Sequence, residues 1–429
     1  VSVSDRERVA HVVRRLSMGA HPDVVRELDG TDAAISRALD LRGPAATPLA
    51  LDPPADFKAA RQVREIVAPI TWWLGRMQGP DRLVEERMTW FWHDHFATSL
   101  AKVRSPYLMY QQHLTLRQHA TGNFADLMKA VAKDPAMLLY LDGITNAATE
   151  RNENFGRECL ELFTMGRDGG YTQDDVVAAS RAFTGWAIAI PGRPALARLG
   201  APWSAVFVAR RHDTGTKTLL GATGTFDMDG ALDVILDHPA TGEFVVAKVY
   251  RELVGLDPDH ATVAALAKNF RRDYEIMPLV TAIVQHDAFI SDAAVRVKYR
   301  SPVEKLVGIV QASGGAAPSD GKQATRLQAG RASGGAARAL RSMSYLPFVP
   351  PNVGGFPKGA RLSGPSNLVH SFDLVQAAGE APHTKSVDDL FARFGIFDVS
   401  DTSRAVLARE RDPGRRFVLA AASPEFTLT

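Results

Sequence analysis

The chain has 429 residues, 45% hydrophobic and 23% charged, values of an ordinary globular protein large enough to bury its own core. Fifty basic against 48 acidic side chains leave a net charge of +2, so no global field draws it to nucleic acid or to an anionic membrane. A single cysteine, Cys159, excludes both an intrachain disulfide and a cysteine-based zinc cage.

The opening residues, VSVSDRERVAHVVRRL, carry charges throughout and lack the apolar run of a signal peptide. No later segment holds the run of about 18 apolar residues that a membrane span needs. The chain as given is therefore expected to be soluble and cytoplasmic, or exported if a leader was removed before Val1. Val9, Val12, Val13 and Leu16 follow helical spacing up to a stop near Gly19. HPDVVRELDGTDAAISRALDLRG predicts two short helices, with Asp23 just inside the first and Thr31 capping the second. The segment from Gly43 to Pro54, rich in Pro and Ala, is a linker or surface crossing. It separates an N-terminal helical unit, residues 1–42, from a main helical domain, residues 55–429.

A helical run starts at Phe57 and is interrupted near Pro69 and at Gly79 and Pro80. The next helix, with Asp81 as its N-cap, carries WFWHDHF; Ser105 and Asn123 suit the caps of two more. Asn152 to Trp186 reads as two helices joined by a glycine-rich turn. After it, prolines, glycines and short apolar runs predict a short β-hairpin or irregular excursion over residues 187–221. Helical texture resumes through HPATGEFVVAKVYRELVG and SPVEKLVGIVQASGG. Gly314 to Ala337 predicts a loop followed by a helix from about Lys322, and Leu346 to Leu362 a structured Pro/Gly loop. Helices near Asn367 to Ala378 and Ser386 to Phe394 follow. The fold class is mainly α, a large multi-helix body without internal repeats.

A helical advance of about 100° per residue places Asn154, Arg157, Glu158 and Glu161 in one arc, opposite Phe155, Cys159, Leu160 and Phe163. Two carboxylates at i and i+3 facing a cleft can share a raised pKa or hold a cation; on an open surface they are only a solvated face with Arg157 as counter-charge. Thr172 and Asp175 match a capping box, and Arg181 is placed to pair with carboxylates of the first helix. His93 and His95 diverge by about 200° on a helix, so they cannot clamp one ion. His95 falls on the apolar side, as a buried functional group or a core histidine. The HDTGTKTLLG segment is a turn that delivers His212, Asp213 or Lys217 to a neighbouring surface. Its lone Asp-Thr-Gly triplet lacks the second aspartate of an aspartic protease. Asn352, Gly354, Gly355 and Lys358 can present amides and a cation to an anionic or polyhydroxyl ligand, or the loop can serve only to brace the body. Nucleotide-binding glycine loops, HExxH and the GxSxG elbow are missing from the sequence.

WFWHDHF, NENFGRECLELFTMG with YTQDDVVAASRAFTGW, HDTGTKTLLG, HPATGEFVVAKVYRELV and PFVPPNVGGFPKG together resemble the bacterial family called domain of unknown function 1800. The blocks stand in the family's order and cover nearly the whole chain. Cys159 replaces a frequent leucine and Phe356 a frequent tryptophan. The resemblance implies a mostly helical fold; many relatives look exported; no reaction comes with it.

The functional expectation is a hydrolase acting on a glycan or related polyhydroxyl substrate. Its catalytic residues would be Glu158, Glu161 and His95. Asn154, Arg157, Arg181, His212, Asp213, Lys217, Asn352 and Lys358 would bind substrate. One version has Glu158, Glu161 and His95 hold a divalent metal ion that activates water; the other uses the glutamates as acid and base. The alternative is a non-catalytic helical scaffold or binding protein with a buried polar network. The expected partner is a small molecule or glycan, not nucleic acid.

Overall fold

The computed structural model describes residues 3–315, 331–378 and 381–429. Helices dominate, and the strands among the described residues form two antiparallel pairs. The start expected near Lys322 lies outside the described residues, which resume at Arg331 with a helix over Arg331–Ser342.

Helix α1 (Asp5–Arg15) is capped by Ser4, whose hydroxyl accepts from the Glu7 amide at 3.2 Å. It is buried along most of its length: His11 Nε2 lies 2.8 Å from the Phe289 carbonyl, and Arg14 pairs with Glu7 at 2.6 Å. The apolar residues of α1 belong to the same cluster as those of the later helices. Thr31 is the first helical residue of its short helix, not the cap; Gly30 is the cap, at φ +91°. The crossing from Gly43 to Pro54 has no regular structure and is strapped down by long side chains. Trp72 donates to the Thr47 carbonyl (3.0 Å), Trp203 to that of Pro54 (2.7 Å), and the Leu49 amide to Tyr110 Oη (2.6 Å).

Helices α2 (Val67–Gln78), α3 (Leu83–His95) and α4 (Pro106–His119) pack at the centre. All thirteen residues of α3 are buried, so each of its polar groups needs a partner around the full circumference. Its N-cap is Arg82 in the left-handed region, without a side-chain cap bond, and not the expected Asp81. Ser105 and Asn123 cap their helices as expected.

Helix α5 (Asn154–Glu158) runs directly into a π-helix over Cys159–Thr164, where the Met165 amide bonds back five residues to Leu160. This wider turn breaks the 100° step on which the expected acidic arc rests beyond Glu158. Helix α6 (Gln173–Ala182) starts with the predicted capping box of Thr172 and Asp175. The excursion is two small hairpins. Strand β1 (Trp186–Ile188) pairs with β2 (Ala205–Phe207), Trp186 opposite Phe207. Strand β3 (Lys217–Leu219) pairs with β4 (Ala222–Gly224). Leu220 and Gly221, both at positive φ, form its two-residue turn.

Helix α7 (Pro239–Val254) ends at Gly255 in the left-handed region, and α8 (Pro302–Ser313) begins with a capping box of Ser301 and Glu304. The last residues pair with the segment before α8: the Lys298 amide donates to Thr429 and the Arg300 amide to Thr427. The loop after Ser342 stays irregular until a 3-10 turn at Gly359–Ser363. Helix α9 (Pro365–Ala378) then lies on α8. Among the described residues, no helix is long and apolar enough to cross a membrane.

Candidate functional site

The polar residues of α3 radiate in several directions. Near its start, Arg117 of α4 grips Glu86 with two bonds of 2.7 and 2.6 Å, and the Trp73 indole donates to the same carboxylate. Near its end, His93 and Asp94 fasten the irregular loop. The Phe348 amide donates to His93 Nε2 at 3.1 Å, and the Phe356 amide to Asp94 Oδ1 at 2.7 Å. Gly355, at φ +93°, lies so close to Asp94 that an added Cβ would stand 2.3 Å from the carboxylate. Lys358 then reaches Asp94 Oδ2 at 2.6 Å.

Between α3, α7, the 298–304 segment and this loop lies a cavity of about 360 Å³. Helix α3 contributes Arg87, Trp90, Phe91 and Asp94, and the end of α7 contributes Lys248, Arg251, Glu252 and Gly255. Both sets fall at i, i+3, i+4 and i+7, one face of each helix. Tyr345, stacked on Phe356 at 4.8 Å, closes another side. Behind Gly255, at φ +84°, stands the buried Arg15, whose guanidinium would be 2.6 Å from a Cβ there, so the backbone conformation and the close approach both favour glycine.

The described lining residues include five cations, Arg87, Lys248, Arg251, Lys298 and Lys358, and four anions, Asp94, Glu252, Asp257 and Glu304. Four close pairs use all the anions: Arg87–Glu304 (2.6 Å), Lys298–Glu252 (2.6 Å), Arg251–Asp257 (2.5 Å) and Lys358–Asp94 (2.6 Å). Burial raises the pKa of Glu304 and Glu252, but the cations beside them, Arg87 and Lys298, outweigh it and hold both below the usual carboxylate range. Arg87 also reaches Glu252 at 3.1 Å and the Arg14 carbonyl at 3.1 Å. Lys248 is left over. Among the described residues its ammonium has no carboxylate partner, only the Leu162 carbonyl at 3.5 Å and the Phe244 ring at 5.1 Å. Burial, reinforced by the charge of Lys358 and only partly offset by the more distant Asp94, brings its pKa down to about 7. Tyr345 is pushed well above its ordinary value by burial and then by Asp94, so its phenol keeps its proton.

The Leu162 carbonyl belongs to the free C-terminal end of the π-helix, whose Phe163 carbonyl takes a 3.0 Å hydrogen bond from His95 Nε2. His95 is thus a buried neutral donor beside the cavity. Burial, and next the charge of Lys248, hold its pKa far down, and its Nδ1 has no hydrogen-bond partner among the described residues.

The structure does not join His95 to Glu158 or Glu161: no hydrogen bond or ion pair links them among the described residues. No group of three or more His, Cys, Asp or Glu among the described residues is placed to hold a metal ion. Glu161 pairs with the exposed Arg167 at 2.6 Å, and Arg157 with Glu153 and Gln173. Glu158 is half-buried, its pKa raised by burial and then by Glu161. Asn154 donates to the Leu141 carbonyl. Arg181 meets Asp213 with bonds of 2.7 and 3.0 Å instead of a carboxylate of α5. Lys217 is buried against the Asp213 and Gly215 carbonyls, and His212 Nδ1 lies 3.2 Å from the Thr184 hydroxyl, so the turn is bound up in its own contacts. Asn352 closes an Asx turn onto the Gly354 amide. Of the expected site residues, Lys358 lines the cavity and His95 backs it.

Residues 11–428 match the model of a family described as a protein of unknown function, DUF1800. The chain belongs to the DUF1800 family. No curated protein and no solved structure matches it. Within this DUF1800 chain, three of the quoted blocks meet at the cavity. WFWHDHF supplies Trp90, Phe91 and Asp94; HPATGEFVVAKVYRELV supplies Lys248; PFVPPNVGGFPKG supplies Lys358. Lys248, Arg87 and Tyr345 were not singled out from the sequence. For Lys248 a signal existed: charged residues and a glycine at i, i+3, i+4 and i+7 on a helix whose other side is Val245, Val246, Val249 and Leu253.

Proposed function

We propose that this chain is an enzyme acting on a small anionic metabolite held between α3 and α7, with Lys248 as the reacting group. One observation carries the reading: in a cavity whose other charges are matched one to one by close pairs, Lys248 alone among the charged described lining residues has no opposite charge within ion-pair distance. A half-buried charge without a close partner is costly, and perturbed groups of this kind concentrate where chemistry occurs. The cavity lies toward the small end of ligand sites, roughly 300–1,000 Å³, which suits a metabolite rather than a polymer. An amine titrating near neutrality can take a proton from water, as hydrolysis requires, or attack an electrophilic carbon directly. The Glu158 and Glu161 face remains a proposal for hydrolysis only with Glu158 acting alone, since Glu161 is committed to Arg167.

A second reading is a scaffold, favoured by the way Arg87, Glu252, Lys298 and Glu304 satisfy one another without a ligand. A thermal-shift panel of small carboxylates, phosphates and sulfates on wild-type protein and Lys248→Gln separates the two. At least one anion class is expected to raise the wild-type Tm by a few degrees and to leave the variant unmoved, since binding stabilises by about 2.7 kcal/mol at a hundredfold excess over Kd. Equal responses of both proteins to every compound would overturn the assignment of Lys248.

A further inference from the structure

We propose that Lys248 forms an imine with the aldehyde or ketone carbonyl of a monoanionic substrate, a 2-oxo acid in the simplest case. This rests on the cavity being the substrate site and says what is bound there.

Geometry separates a nucleophilic lysine from one that only attracts anions. In an anion-binding site, several cations converge with free donors. Here four of the five lining cations are held by carboxylates at 2.5–2.6 Å, so an incoming anion meets a surplus of one charge. The ammonium of that fifth cation rests on a carbonyl and a phenyl face, weak substitutes for a carboxylate. Arg251 follows it on the same helix face, and Lys358 comes from the loop. Burial and these like charges favour the neutral amine. With a pKa of about 7, about half the molecules carry the free lone pair at neutral pH, against about one in three thousand at the ordinary value.

The reaction needs no oxidant or metal. The amine lone pair forms a bond to the carbonyl carbon as the C=O π electrons move to oxygen, and the nitrogen loses a proton while the oxygen gains one. The nitrogen lone pair then closes the C=N bond as that oxygen, protonated again, leaves as water. The Lys358 ammonium lines the same cavity and can supply the proton to the departing oxygen, and the Tyr345 phenol, with its proton retained, can donate a hydrogen bond to it. Charge fixes the substrate. A protonated imine keeps the single surplus positive charge of the lining, which one substrate carboxylate neutralises.

Borohydride trapping tests this on the full wild-type chain. Glyoxylate, pyruvate and neutral glyceraldehyde are each incubated with protein and sodium borohydride, and adducts are located by peptide mass mapping. Lys248 is expected to be alkylated by an oxo acid about tenfold or more faster than the exposed Lys58 and Lys268, in line with its larger neutral fraction. The oxo acids should outpace glyceraldehyde, and Lys248→Arg should lose the adduct without a change in the labelling of other lysines. Labelling of Lys248 at or below the rate of Lys58 by every probe overturns the imine, and this comparison within the wild type does not depend on any variant folding. Competitive acetylation across pH separates the two readings. An apparent pKa near 7 at Lys248, with oxo-acid protection and no trapped adduct, sinks the imine and leaves the substrate site standing. An ordinary lysine pKa without protection sinks both.

Discussion

Single side chains show why residue type alone under-determines role. Lys248 and Lys358 are both lysines at the cavity, yet Asp94, in contact with the exposed Lys358, raises its pKa, while beyond ion-pair distance of Lys248 it only partly offsets burial, and Lys248 falls to about 7. A lysine on a helix ordinarily means a solvated face, and nothing within α7 announces that Lys358 would arrive from more than a hundred positions away. Asp134 makes the same point with an acid. Its Oδ1 accepts from the Ala136 amide (2.9 Å), the Met137 amide (3.0 Å) and Gln112 (3.0 Å), yet burial outweighs these bonds and lifts its pKa to about 7. Because the folded pKa exceeds the ordinary aspartate value of 3.8, the folded state binds the extra proton, and stability falls as pH rises from about 4 to 7. Asp134→Asn copies the protonated shape and retains the acceptor. It should gain on wild type as pH rises, by at most about 1.4 kcal/mol per unit across that window. Urea midpoints at pH 5 and 8 check this; a wild-type-to-variant difference that is the same at both would refute the buried acid.

At the scale of elements, caps were the most legible feature, because a cap is a local bargain: Thr172 with Asp175, Ser105 and Asn123 all satisfy amides two or three residues on. The acidic arc was less legible. The π-helix at Cys159–Thr164 changes the turn under it, and a helical wheel contains no term for that. The loop before α9 was visible as structured from its Pro and Gly content, but its anchors were not. They are His93 and Asp94, more than 250 positions earlier. Two separate anchors allow a separable outcome. Asp94→Ala removes the acceptor of the Phe356 amide and the partner of Lys358, and should cost about 1–3 kcal/mol, because it strands a buried donor while the pair with the exposed Lys358 adds little. Asp94→Asn retains an acceptor for the amide and should cost less. Hydrogen exchange in Asp94→Ala should accelerate at Phe356 while Phe348, still held by His93, changes little. Equal acceleration at both amides would mean that the loop opens as one unit.

Across the whole molecule, the mainly α class and the excursion after Trp186 follow from periodicity and composition, whereas the assembly of the cavity depends on long-range pairing that no window of sequence contains. The same burial has a global consequence in acid. His11, His21, His93, His95 and His113 lie in the core, and burial holds each below the ordinary 6.5, His21 at about 3 and His93 at about 4. Below pH 6.5 the unfolded chain takes up protons at these five positions and the folded chain does not. Their contribution is therefore fully present above 6.5 and is lost as pH falls towards the folded values. Asp134 works in the opposite direction with a single proton, and the depressed carboxylates Glu7, Glu252 and Glu304 add to the loss only below about 4.5. Five protons against one decide the sign. Between pH 7.5 and 5.5 the net loss is on the order of 5 kcal/mol, comparable with the entire stability of many domains. The urea midpoint should therefore drop steeply from pH 7 to 5.5 and rise more gently above 7, where Lys248 and Lys305 release protons that the unfolded chain keeps, with His21→Gln flattening the acid slope by about one proton. A midpoint that stays constant from pH 7.5 to 5.5 would show that these histidines are hydrated or protonated in the folded chain, and with that their burial would have to be abandoned.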